Sequence, residues 1–357
     1  MNGRETMREL VNVLASMDLG EIRLMEVCGT HTMSIARSGI KSMIPKNIKL
    51  ISGPGCPVCV TAAHIIDKIL KMAVLPKVTI VTYGDMVRVP GSSRGDSLGR
   101  LKAGGADIRV VFSPVDAVEI ARENPDRQVV FLGVGFETTA PGTGVAIKMA
   151  KEERLENFSV FSMLKTVEPA LRALMADNEF NIQGFICPGH VATVIGERGF
   201  EFFESEYNMP AVIAGFEPQE IMAAICRLAW QISKDTPRLE NAYTKAVAPA
   251  GNRAAMAVME EVFIPRDDVW RGLGPIQRSG LRIRDEYREF DAETRFAIED
   301  VPVKEQTLCR CGEVIQGKIS PRQCPLFAKG CSPELPVGPC MVSGEGACAA
   351  EYNYNYI

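Results

Sequence analysis

Histidine is the scarcest chemistry-bearing residue of the 357-residue chain: only His31, His64 and His190 are present, which leaves little room for pH-linked switching in the neutral range. Basic charge is not in excess. Forty Lys and Arg stand against 44 Asp and Glu, a net charge of −4 with a pI near 5.7. A nucleic-acid footprint needs a basic surface, so this balance argues against nucleic acid as a partner. Long hydrophobic runs are also missing. Stretches such as VVFLGVGF fall well short of the roughly 18–20 apolar residues that cross a bilayer. The start, MNGRETMREL, mixes charges early and has no apolar core of an export signal. The expected location is therefore the cytoplasm, with no membrane partner. Reductants there keep thiols free, so structural disulfides are not the expected use of cysteine.

Apolar residues make up 46% of the chain and charged residues 24%, as in folded soluble domains, and the length suits two or three of them. A helical pattern at 8–18 precedes short apolar runs at 21–27, 48–52, 78–83, 107–112, 128–134, 158–162, 182–187 and 210–214. Helical patterns fit between these runs, the last at 217–234. Near-continuously apolar strands alternating with helices predict α/β architecture, with parallel sheets covered on both faces. The expectation is two small parallel-sheet α/β domains, 21–134 and 135–235. A third, mixed and loop-rich domain is expected from 1–20 with 236–357. Beyond residue 235 the period is lost, apart from a helix at 252–262. From 301 on, Gly, Pro and Cys replace it. Such a stretch lacks the means for an ordinary core, and a metal centre is the usual substitute.

Eleven cysteines then need a role. Cys226 lies within the helical pattern EIMAAICRLAW and reads as a small buried hydrophobe. Cys28 ends an apolar strand in EVCGTHT (26–32), at a turn that opens a helix. Ligands collect at the carboxyl ends of parallel strands, and a helix N-terminus favours thiolate. His31 is near enough in sequence to hydrogen-bond Cys28 or share a metal; a buried Cys with a capping Thr is the plain alternative. In GPGCPVCVT (53–61), Cys56 and Cys59 form a C-x-x-C at a strand-to-helix turn. That context favours a redox pair over half of a zinc site, because no second C-x-x-C exists. Six cysteines crowd the tail: Cys309, Cys311, Cys324, Cys331, Cys340 and Cys348. Their spacing lacks zinc knuckles and favours a [4Fe–4S] cluster, without saying which four are ligands. The Gly-rich loops GVGFETTAPGTG (133–144), CPGH (187–190) and GFEP (215–218) each follow a predicted strand. They would present Glu137, Thr138, His190 and Glu217 to a common cleft; the alternative is helix capping, since Thr138 or Thr139 and Glu217 lie near helix starts. The first loop lacks the Walker lysine and the G-x-G-x-x-G spacing.

In order along the chain, EVCGTHT, GPGCPVCVT, GFETTAP, CPGHV, GFEP and the tail C-x14-C-x6-C-x16-C resemble the HypD family of hydrogenase maturation proteins. The resemblance covers essentially the whole chain. It implies a scaffold that, with a HypC-type partner, assembles the Fe(CN)2CO group of [NiFe]-hydrogenase. Cyanide would come from a HypE-type protein loaded by a HypF-type carbamoyltransferase. It also implies residue roles. Cys28 would hold the iron, with His31 beside it. Cys56 and Cys59 would be a redox pair. Cys309, Cys324, Cys331 and Cys348 would ligate a [4Fe–4S] cluster, and Cys311 and Cys340 would form a disulfide pair near it. Electrons would then run from cluster through dithiols to the iron. The alternative is a cluster-dependent thiol-disulfide oxidoreductase resembling ferredoxin:thioredoxin reductase.

Overall fold

The computed structural model describes residues 3–93, 95–299 and 308–355. The apolar runs form β1 (Ile22–Glu26), β2 (Ile48–Ser52), β3 (Val78–Thr82), β4 (Asp107–Val110), β5 (Gln128–Gly135), β6 (Phe158–Leu164), β7 (Gly184–Pro188) and β8 (Ala211–Ala214). Three strands lie outside the expected set: β9 (Leu239–Asn241), β10 (Phe263–Trp270) and β11 (Gly274–Ile283). The first sheet has the order β2-β1-β7-β8-β9 and is parallel throughout. The second has the order β4-β3-β5-β6, again parallel. β10 and β11 form an antiparallel hairpin. The central strands are apolar on both faces because both faces are covered; Val129 to Leu132 and Phe185 to Cys187 are fully buried.

The sheets do not divide the chain near residue 134. The chain builds two strands of the first sheet, makes the whole second sheet, then returns to add β7, β8 and β9. The N-terminal helix Gly3–Ser16 does not join the tail either. Leu14 packs with Ile22, Leu24, Ile221 and Ile225, so this helix covers the first sheet beside helix Pro218–Lys234. Helix Arg253–Val262 and the hairpin cover the second sheet, where Val262, Phe263, Leu281 and Ile283 pack against Phe131, Phe158 and Val160. Of the expected third domain, the Cys-rich tail fills the space alongside both sheets. One core joins Met25 and Phe185 of the first sheet, Val130 and Leu132 of the second, and Cys324, Phe327, Cys340 and Cys348 of the tail. The carboxyl ends of β1, β3, β5 and β7 thereby face one cleft.

Candidate functional site

A cavity of about 360 Å³ opens in that cleft, lined by Cys28, Thr30, Tyr83, Thr138, His190 and Glu345 among others. Cys28 is the residue before helix Gly29–Ser38 and holds extended backbone. Its sulfur is buried at the helix N-terminus, as the strand-turn-helix pattern predicts. The helix does not win the electrostatics. Burial pushes the Cys28 thiol up to about 12 and the charge of Glu345 adds to this, while the backbone N–H groups of His31 and Thr30 pull the other way. Without a metal, Cys28 is a thiol at neutral pH. Glu345 comes from the tail, fixed by the Thr30 hydroxyl, which donates to its Oε1 at 2.6 Å. The sequence reading missed it, because an acid between Cys340 and Cys348 has no period to mark it; the Gly residues on both sides of it were the only signal.

Glu26, also buried, organises the turn from below. It accepts from Thr32 Oγ1 at 2.5 Å and from the Cys28 N–H at 3.2 Å. His31 does not turn its ring to Cys28. Its Nε2 donates to the Gly215 carbonyl at 2.9 Å, and its ring stacks on Phe216 at 4.7 Å. His190 stacks on Phe216 at 3.9 Å and lines the cavity. Burial lowers the His31 imidazole to about 4, so the ring is neutral, and its buried Nδ1 has no hydrogen-bond partner. Of the remaining cleft candidates, Thr138 lines the cavity and two others do not. Glu137 turns away, and its Oε1 accepts the Val167 N–H at 2.9 Å at the start of helix Val167–Met175. Glu217 and Glu220 cap helix Pro218–Lys234 reciprocally.

Cys56 and Cys59 are joined as a disulfide around the short helix Pro57–Val60. Their loop lies directly on Cys28. The Gly29 N–H donates to the Gly55 carbonyl at 3.0 Å, and a Cβ on Gly55 would stand 2.3 Å from the Cys28 nitrogen. On its other side the pair meets the tail, with Cys59 Sγ 3.9 Å from the Pro339 carbonyl, next to Cys340. In the tail Cys311 contacts both Cys309 and Cys340, and Cys340 contacts Cys348. Cys324 and Cys331 are buried in the same core. Cys309 alone of the six is partly exposed. All six are free thiols. This soft sulfur set suits an iron–sulfur centre, not a hard-cation site. Among the described residues, no three His, Cys, Asp or Glu groups already stand at metal-ligand spacing. The two remaining cysteines are structural: Cys187 is fully buried within the core, and Cys226 sits under the N-terminal helix, its Sγ 3.4 Å from the Leu10 carbonyl. No described helix is long and apolar enough to cross a membrane.

The sequence has counterparts along most of its length among known proteins. Residues 4–355 match the family model described as HypD, hydrogenase formation hypA family. The chain is 46% identical to a hydrogenase maturation factor HypD of Rhodobacter capsulatus, over 93% of this chain and 89% of that one. It is 45% identical to hydrogenase maturation factor HypD2 of Bradyrhizobium diazoefficiens, over 93% and 89%. With the HypD of Escherichia coli it shares 42% identity over 98% and 94%. Similarity of this extent, with the family model matched from residue 4 to residue 355, makes the chain a member of the HypD family of hydrogenase maturation factors.

Proposed function

We propose that the chain is the scaffold on which the Fe(CN)2CO group of [NiFe]-hydrogenase is assembled, with Cys28 holding the iron. Among the described residues no preassembled metal-binding group is present. A HypC-type partner, the one the family resemblance implies, would supply a second donor to that iron. A HypE-type protein, itself loaded by a HypF-type carbamoyltransferase, brings the cyanide as a protein thiocyanate. Thiolate and the strong-field ligands cyanide and CO suit a low-spin ferrous ion.

The observation that carries this reading is that the three cysteine-bearing segments pack directly on one another. The Cys28 backbone touches Gly55, the Cys56–Cys59 loop touches Pro339, and Cys340 touches Cys311. Freeing cyanide from a thiocyanate takes two electrons. The dithiol Cys56/Cys59 supplies both, and two protons, as it closes to a disulfide: R–SCN + 2 Cys–SH gives R–SH + HCN + Cys–S–S–Cys. Cys311 and Cys340 reopen that disulfide by thiol exchange and are left oxidised. Cys309, Cys324, Cys331 and Cys348 would hold a [4Fe–4S] cluster, which, when bound, supplies electrons singly to re-reduce Cys311 and Cys340, drawing on an external one-electron donor.

The alternative, a thiol reductase of protein disulfides, gives Cys28 no role, and under it Cys28→Ala would retain disulfide reduction. The test is Cys311→Ala in protein purified without oxygen. The expected result is wild-type iron and acid-labile sulfide with cyanide transfer to the iron abolished. Transfer at the wild-type level with the cluster present would refute the relay.

A further inference from the structure

The turn of the hairpin between β10 and β11 is wedged between the two cysteine motifs. On one side the Arg271 N–H donates to the Val60 carbonyl at 2.8 Å, and Arg271 Nε donates to the Thr61 carbonyl at 3.0 Å. Trp270 pairs with Thr61 in an antiparallel bridge. Val60 and Thr61 directly follow Cys59. On the other side a Cβ on Gly272 would stand 2.3 Å from the Gly312 Cα, and Gln316 Nε2 donates to the Gly272 carbonyl. Gly312 directly follows Cys311. The turn is thus bonded to one dithiol segment and pressed against the other.

Arg271 is held by its backbone and Nε, but its Nη2 is buried and has no hydrogen-bond partner. Its positive charge acts on both Cys309 and Cys311. It lines a groove of about 620 Å³ together with those two cysteines. Glu313, the carboxylate in the same groove, is engaged by Arg310, with Nε to Oε1 at 2.7 Å. A buried charged donor is normally satisfied by an acceptor, and the groove that Arg271 shares with Cys309 and Cys311 offers it their sulfurs. Arginine, always charged, with its donors in a fixed fork, suits that task.

We propose that Arg271 is a positioning residue of the tail centre, holding negative sulfur at the Cys309–Cys311 pair and favouring the reduced state of the cluster there. The inference rests on the reading of the tail as a cluster site. Reduction adds one negative charge to the centre, and a fixed cation beside it stabilises that charge. The guanidinium undergoes no reaction.

The test is an electron-paramagnetic-resonance redox titration of the full chain, purified without oxygen, as wild type, Arg271→Gln and Arg271→Lys. Iron and acid-labile sulfide are assayed on the same samples. In R271Q the reduced-to-oxidised ratio at fixed poise is expected to fall by roughly tenfold, about 59 mV for a one-electron couple. R271K, which keeps the charge, is expected to stay within about threefold of wild type, a shift of under ~30 mV. Unchanged potential in R271Q with a full cluster, or R271K displaced as far as R271Q, would overturn the inference and leave the cluster reading standing. Should R271Q lose its iron, R271K decides: wild-type cluster and potential support the role of charge, and a lost cluster overturns it. Wild-type protein without iron and acid-labile sulfide would overturn the cluster reading and this inference with it.

Discussion

Gly55 is where the C-x-x-C loop meets Cys28, and Gly55→Ala tests whether that contact is tight. Its added methyl would lie 2.3 Å from the Cys28 nitrogen, 2.4 Å from the Val27 carbonyl carbon and 2.5 Å from the Cys28 Cα. All three are backbone atoms, so no side chain can swing aside. Either the loop retreats or β1 bends. Retreat also weakens the 3.0 Å hydrogen bond from Gly29 N to the Gly55 carbonyl. Overpacking costs about 1–3 kcal/mol and a weakened buried hydrogen bond about 1 more. Unfolding entropy of roughly 2.1 cal/mol/K per residue gives about 0.75 kcal/mol/K for the chain, so the melting temperature should fall by roughly 3–5 °C. Gly20→Ala is the control, since a Cβ there meets nothing within 4 Å; exposed sites of this kind change stability by no more than about 0.5 kcal/mol. Scanning calorimetry of both variants decides the matter. Equal melting temperatures would mean that the loop is not held against Cys28, and the sulfur path would lose its last link.

Glu137 and Lys165 provide further tests. Burial pushes the Glu137 carboxyl up to about 7, above its unfolded value of about 4.5, so the fold penalises the charged form. Stability from this group is complete below about pH 4.5, falls as pH rises toward 7 and stays low above it. Glu137→Gln mimics the protonated acid and should gain about 3 kcal/mol at pH 8, with nothing gained at pH 4.5, in denaturant melts at the two pH values. A gain of equal size at both pH values would contradict the assignment. Lys165 and Asp268 form a buried ion pair, their side chains 3% and 11% exposed. Lys165→Met leaves the Asp268 charge without its partner and should cost about 3–5 kcal/mol. Lys165→Met combined with Asp268→Leu should recover most of that loss; a double variant as unstable as the single one would show that packing, not charge, sets the cost.

The strands that read most clearly in the sequence are those buried on both faces, such as β5 and β6, where nearly every residue is apolar. Uniform apolarity marks a strand but not its neighbour, which is why membership in the two sheets was not legible and the break expected near 134 does not separate them. The hairpin escaped notice for the opposite reason. β10 alternates buried and exposed positions, with charges at Arg266, Asp267 and Asp268 and a proline at 265, so its sequence looks like a polar loop. At the site, Cys28, Cys56, Cys59 and the tail cysteines stood out because thiols are rare and their spacing is informative. Glu345 and Arg271 did not. Each acts on a motif far away in sequence, and no local pattern encodes that distance. Glu137 misled for a related reason: its partner, the start of helix Val167–Met175, lies about thirty residues along the chain.

The central claim is that Cys28 carries the iron on which cyanide and carbon monoxide are assembled. The measurement that addresses it is an infrared spectrum of the chain co-expressed with its maturation partners and purified without oxygen, beside the same preparation of Cys28→Ala. The account predicts cyanide and carbonyl stretching bands in the wild type and none in the variant, with the tail's iron and acid-labile sulfide unchanged in both. Bands of equal intensity in Cys28→Ala would move the iron elsewhere. A wild type with iron and sulfide but no such bands would contradict the scaffold itself.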